Sequence, residues 1–480
     1  LGKQTRNQEY GMRLLPASGR TDESSMPSPP PAAPAHHGLP HPQRLLAFTT
    51  LAMAITMAVL DGSIVNVALP TMAHDLAIAP ADSVWIVNAF QIAVTVSLLP
   101  LSALGDSLGY RRVYWAGLAV FTAASLACAL APSLATLTLA RLVQGLGAAG
   151  IMSVNIALVR FIYPSSRLGQ GVGNMAVVVA VGSAASPTIA AAILSIASWR
   201  WLFLINVPIG VASLVMAARM LPATPRSRRP LDPISVVLNA ATFGLFITGV
   251  DGIGDSTNLS IPVAEIVAAA VIGAVFVRRQ LGLATPLLPV DLLRRPVFAL
   301  SLATSIASFA AQALALIALP FYFEGALGRS AAETGLMMTP WPVAIALIAP
   351  FAGRLADRYV PGLLGSAGLA VMGLGLVLVA LRVGEPGIMP LVWRLAICGL
   401  GFGFFQSPNN RLIIGSAPPE RTGGAAGLQS SGRLIGQSFG TALMAVAFGR
   451  APEHATSIAL WTAAGLTFVG ACASGLRRSV

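Results

Sequence analysis

Asp61 is the only formal charge in the apolar run from Leu45 to Pro70. A carboxylate inside a membrane-crossing helix costs about 2.5 kcal/mol or more by insertion scales, and burial of any carboxylate penalises its charged form. It therefore reads either as a site for a proton or cation, or as an acid resting at the outer water interface. Arg141 interrupts another apolar run, with Gln144 one turn on along the same helix face. A permanently charged guanidinium can hold a nearby carboxylate ionised until a proton arrives, or it can serve as a plain helix-to-helix hydrogen bond. The chemistry on offer is proton binding and release.

Bond-making chemistry has little to work with. All of the 30 Lys+Arg are arginines except Lys3, so no glycine-rich phosphate loop ending in lysine exists in the body of the chain. The five histidines fall in the N-terminal tail or in expected loops, and Cys128, Cys398 and Cys472 lie singly in apolar runs. No metal, cofactor or enzymatic centre is expected.

The elements that must position Asp61 and Arg141 follow from composition. Of 480 residues, 55% are apolar and 10% charged, too few polar side chains to coat several soluble domains. The net charge of +12 is scattered through short loops and does not point to nucleic acid. An all-α polytopic membrane protein is expected, with apolar stretches long enough to span about 30 Å of hydrocarbon. Fourteen recur, near 46–69, 83–104, 113–131, 135–158, 170–194, 200–221, 234–251, 261–277, 297–323, 335–352, 362–381, 389–407, 425–449 and 457–476. With the N-terminus inside, the expected cytoplasmic segments hold 23 of the 30 basic residues, so both termini are expected to be cytoplasmic. Residues 1–45, rich in proline, read as a disordered tail, with Met26 the expected physiological start.

A faint internal repeat accompanies the spans. Leu104-Gly105-Asp106-Ser107-Leu108-Gly109-Tyr110-Arg111-Arg112 is echoed by Gly353-Arg354-Leu355-Ala356-Asp357-Arg358. Arg141, Gly145 and Gly147 are echoed by Arg394, Gly399 and Gly401. Duplicated halves are a common transporter plan. Asp106 with Arg111 and Arg112 would act as a latch in a short turn, or merely set topology. Gly182, Ser186 and Pro187 suit a close, bendable helix contact. Asp251 and Glu324, near the expected outer ends of the seventh and ninth helices, are candidate cation contacts or ordinary interfacial acids. Arg433 with Gln437, and Asn409 with Asn410, are expected as further buried polar groups.

Leu60-Asp61-Gly62-Ser63-Ile64-Val65-Asn66-Val67-Ala68-Leu69-Pro70 resembles the first-helix signature of the fourteen-helix drug:proton antiporters of the major facilitator superfamily. Arg141-Leu142-Val143-Gln144-Gly145-Leu146-Gly147-Ala148-Ala149 resembles their fourth-helix proton-coupling motif, and the stretch from Trp199 to Gly210 their fifth-to-sixth boundary. Pro320-Phe321-Tyr322-Phe323, Ser407-Pro408-Asn409-Asn410-Arg411 and the run Gly432 to Gln437 are most similar to methyl viologen resistance efflux proteins, exporters of quaternary ammonium compounds. The resemblance implies protonation or cation binding at Asp61, proton relay at Arg141, and a gating loop at Asp106, Gly109 and Arg112, echoed at Asp357 and Arg358. Ser102 and Ser107 replace that loop's usual glycine and arginine. Ser186-Pro187-Thr188-Ile189-Ala190-Ala191 replaces a Gly-Pro motif followed by two glycines. Glu324 stands where relatives often carry glutamine.

The resulting expectation is two six-helix bundles at 46–221 and 297–480, joined by a 222–296 segment holding two extra helices. The protein is expected to be a monomer in a bacterial inner membrane, exporting lipophilic cations against a proton flux by alternating access. The alternatives are an exporter of a specific metabolite or natural product, and more remotely a transporter-like sensor.

Overall fold

The computed structural model describes residues 38–164, 167–224, 226, 232–255, 258–283, 286–356, 358–383, 389–418 and 422–478. Most of the expected tail, Met26 and Asp357 lie outside the described residues. Hydrocarbon offers no hydrogen-bond partners, so each apolar run satisfies its backbone internally as a helix.

Among the described residues, twelve helices are long and apolar enough to cross a membrane: α1 Gln43–Asp75, α2 Pro80–Leu108, α3 Tyr110–Leu130, α4 Leu134–Ile162, α5 Leu168–Leu194, α6 Trp201–Met220, α7 Pro233–Gly254, α8 Ser260–Gly282, α9 Pro296–Ala326, α10 Ala331–Ala356, α11 Pro361–Ala380 and α14 Pro452–Gly475. The other two expected spans fall on α12 Met389–Gly415 and α13 Thr422–Arg450, which are 27 and 29 residues long but are not among those twelve. Arginine, asparagine and glutamine dilute both: Arg394, Asn409, Asn410 and Arg411 in α12, Gln429, Arg433 and Gln437 in α13.

Helices α1 to α6 pack on one another, as do α9 to α14, and the α7–α8 hairpin is tied to both groups through α7. Phe246 of α7 stacks on Phe439 of α13 at 5.8 Å, and Asn239 Nδ2 donates to the Val96 carbonyl of α2 at 2.9 Å.

The repeat is real in its glycines. A Cβ on Gly145 would stand 2.6 Å from the Phe90 carbonyl oxygen, and one on Gly399 would stand 2.2 Å from that of Trp341. Gly147 meets the Phe121 nitrogen of α3 as Gly401 meets the Met372 nitrogen of α11. The arginines do not correspond: Arg141 precedes its glycine by four residues and Arg394 by five, a difference of about 100° around a helix. Leu395 is therefore the counterpart of Arg141. Arg394, buried, lies against the Trp393 ring instead, its Nε and Nη1 without a hydrogen-bond partner.

The two groups of helices meet unevenly. Call the end bearing Gly109, Tyr163 and Arg295 the basic end. At the far end one apolar cluster runs from Ile64, Leu69 and Met72 of α1 to Phe323 of α9 and Trp341 of α10. Toward the basic end there are two clusters: one is built on α1 to α4, with Leu434 as its sole contribution from α13, and the other on α9, α12 and α13, with Leu99 of α2 packed against it. The helix groups are sealed to each other by continuous apolar contact at the far end, and toward the basic end they touch through Leu434 and Leu99.

Candidate functional site

Asp61 sits mid-way along α1 and is 1% exposed. Its Oδ2 accepts from Arg141 Nη1, and its Oδ1 accepts from Gln144 Nε2 and from Asn206 Nδ2, each at 2.9 Å. Three helices, α1, α4 and α6, thus converge on one carboxylate. Arg141 is fully buried, and its Nε donates to the Ile86 carbonyl at 3.0 Å. Its Nη1 also reaches Gln144 Oε1 at 2.7 Å. The guanidinium lies 4.2 Å from the Phe90 ring centroid and 5.6 Å from that of Phe203, stacking a weakly hydrated cation on aromatic faces. Gln144 is held in turn, donating to Ser125 Oγ at 2.9 Å while Ser125 donates to the Phe121 carbonyl.

A buried ion pair is tolerated when its remaining polar groups find partners, and here both carboxylate oxygens and the Nε and Nη1 of Arg141 do. Neutralising Asp61 would remove the one anion paired with Arg141 among the described residues, so the cage can exist in two electrostatic states. The spacing of Asp61, Arg141 and Gln144 is legible in the sequence; Asn206 and Ser125, single polar residues on other helices, are not singled out by it. Asp61 lies among protein groups in this conformation, with almost none of its surface exposed.

The remaining candidates are dispersed. Asp251 is buried within the protein, its Oδ1 receiving Asn88 Nδ2 at 3.4 Å. Glu324, in a π-helical turn Tyr322–Ala326 that follows Pro320, accepts from Thr71 Oγ1 of α1 at 3.1 Å, and its buried Oε1 has no partner. That bond crosses between the helix groups at the sealed end. The α5 motif serves the same seam: Thr188 and Thr339 hydroxyls meet at 2.9 Å, and a Cβ on Gly335 would be 2.6 Å from the Pro187 carbonyl oxygen. Gly182 faces Thr56 of α1, and buried Ser186 donates to the Leu60 carbonyl at 3.4 Å, next to Asp61.

The expected latch is absent from this conformation. Asp106 accepts from Tyr110 Oη across the turn at Gly109, and pairs with neither Arg111 nor Arg112. Arg111 instead donates to the Ala218 carbonyl of α6, and Arg112 is exposed. Gly109 has φ 97°, a backbone shape that favours glycine, and turns α2 into α3. Arg358 is exposed.

Asn409 is buried against α9, its Nδ2 donating to Ser305 Oγ at 2.9 Å, while Asn410 accepts from Gln429. Arg477, expected as a loop charge, is buried too: its Nη1 donates to Asn409 Oδ1 at 2.6 Å and Ser301 Oγ at 2.7 Å. Burial pushes its guanidinium down to about 10, which leaves it a cation at neutral pH. Arg433 and Gln437 are half-buried. On α13, Gly432, Gly436 and Gly440 face α9 while Gly427 faces Leu99 of α2. The helical phase puts Arg433 and Gln437 between those faces, toward the gap between the helix groups. Arg433 joins no ion pair among the described residues.

The pattern described as Major Facilitator Superfamily matches residues 51–441. The chain is 54% identical over 442 residues to a protein of Escherichia coli K12 described as an uncharacterized transporter, YebQ, covering 92% of this chain and 97% of YebQ. It is 28% identical to the riboflavin transporter RibZ of Clostridioides difficile, covering 89% and 96%. To the tetracenomycin C resistance and export protein of Streptomyces glaucescens it is 30% identical, covering 93% and 80%. Among solved structures, a bacterial homologue of the human lysosomal transporter Spinster, in an inward-facing and unoccupied conformation, superposes with a TM-score of 0.65 at 14% identity, covering 91% of this chain and 97% of that one.

Proposed function

The chain belongs to the Major Facilitator Superfamily, and on that premise we propose that it is a proton-driven exporter of small amphipathic compounds, lipophilic cations among them. The observation that carries the reading is the Asp61–Arg141–Gln144–Asn206 cage, an acid whose charge state decides whether a buried guanidinium has a counter-ion. Protonation of Asp61 would free Arg141, and Ser186 of α5 bonded beside Asp61 would carry that change to the seam held by Pro187 and Thr188. The proposal takes the bundles as 46–221 and 297–480, reads α12 and α13 as two further spans for a total of fourteen, and places the basic end and both termini in the bacterial cytoplasm. The far seam is then the outer one. Glu324 and Asp251 are the acids proposed to favour cations, and a monomer is the proposed unit.

The test is accumulation of ethidium in efflux-deficient bacteria expressing wild type or Asp61→Asn at matched membrane abundance. Exclusion by wild type, its loss with an uncoupler, and control-level accumulation with Asp61→Asn are expected; equal accumulation in wild type and control would overturn cation export.

A second reading is favoured by Arg433, an unpaired cation turned toward the gap. It suits an acid-bearing metabolite or natural product; riboflavin and tetracenomycin C are the compounds for which two relatives are named.

A further inference from the structure

Beside the α2–α3 turn, two cavities share a wall. The first, about 470 Å³, lies at the basic end and is lined by Gly109, Arg111, Arg112, Trp115, Thr224 and Arg226. The second, about 480 Å³, runs alongside as a crevice between α2, α3, α4 and α7, lined almost wholly by hydrocarbon: Pro100, Leu104, Val120, Leu146 and Val236 are among its walls. Leu108 and Arg112 belong to both. No acid lines either among the described residues. Arg112 is exposed and in no ion pair among the described residues, because the nearby Asp106 is bound to Tyr110. Trp115 is 45% exposed at the mouth, and Leu108, Val120 and Leu146 are exposed along the crevice. Trp and Arg at the end of a membrane helix mark the level of lipid head groups.

We propose that this pair of cavities binds an anionic phospholipid, its phosphate at Arg112 and Arg226 and one acyl chain in the crevice closed by α7. The charge pattern selects against a cationic amphiphile, which three guanidinium groups would repel, and against a zwitterionic lipid, whose own ammonium would face the same arginines. The apolar crevice selects against a small free phosphate, for which it offers nothing. Basic clusters at this level each draw anionic lipid by electrostatics and gain affinity by burying chain methylenes. The occupied site would brace the α2–α3 turn against α6 and α7, a binding role separate from the exporter reading, so either can fail alone.

Full-length protein is reconstituted into vesicles containing brominated phosphatidylglycerol or brominated phosphatidylcholine at equal mole fraction. Fluorescence of Trp115 is isolated by difference against Trp115→Phe. Stronger quenching by phosphatidylglycerol is expected, with Arg112→Gln weakening its relative association by about fivefold, the worth of one surface arginine, and Arg112→Lys retaining it. Equal quenching by the two lipids overturns the proposal, as does a preference that survives in Arg112→Gln. Soluble glycerol phosphate that abolishes the preference would assign the site to a free phosphate and overturn the lipid.

Discussion

Gln144 Nε2 lies 2.9 Å from Asp61 Oδ1, on the same helix as the arginine that grips the other carboxylate oxygen. The acid is thereby shared between one charged and two neutral donors, and loss of its charge strands only the charged one. Asp61→Asn is expected to lower stability by about 3–5 kcal/mol, the cost of a buried uncompensated charge. Asp61→Asn with Arg141→Gln is expected to recover most of it without restoring uncoupler-sensitive export. Thermal unfolding and ethidium efflux of the three proteins decide; a double variant that exports like wild type would remove the pair from coupling.

Gly335→Val should prevent the far seam from closing, since its Cβ would collide with the Pro187 carbonyl oxygen. Export is expected near background with a stability loss of about 1–3 kcal/mol. In a Cys472→Ser background, where Cys128 and Cys398 are buried, maleimide labelling of Thr334→Cys, a buried position beside Gly335, should rise when Gly335→Val is added. Unchanged labelling would mean that the seam accommodates the side chain.

Arg433→Gln removes positive charge from the gap. Ethidium efflux is expected to increase severalfold, and Arg433→Glu to increase it further, whereas export of an acid-bearing compound falls in both. Identical rates in all three proteins would place Arg433 outside the path.

Asp232, just before α7, is held well below the usual carboxylate range by two hydrogen bonds from Arg279, at 2.8 and 2.9 Å, and a third from Ser235. A depressed folded pKa gives stability that is present above the unfolded value of about 3.9 and is lost as pH falls through the folded one. Asp232→Asn should therefore lower the unfolding temperature slightly at neutral pH, with the difference shrinking at strongly acidic pH. A difference that persists there would assign the effect to packing.

The sequence alone carries the spans and the Asp61, Arg141 and Gln144 set because each is a local departure from an apolar background. Asn206 completes the cage from a helix whose polarity is unremarkable by itself, so only tertiary contact identifies it. The Arg394 echo misleads because matching glycines hide a one-residue change of phase, and a helix turns that into a different face. Asp106 looks like the partner of Arg111 and Arg112 by proximity in sequence, yet the turn at Gly109 brings the Tyr110 hydroxyl onto it instead. Arg477 counts as a topological charge until Asn409 and Ser301 are brought against it.

The far seam is built mainly of hydrocarbon, with Thr71–Glu324 and Thr188–Thr339 as its polar ties. Parting it wets apolar surface, which raises the heat capacity. Such contact weakens on cooling. The balance between the two openings is thus a function of temperature as well as of proton supply, and cold shifts it toward the form that is parted at the far end.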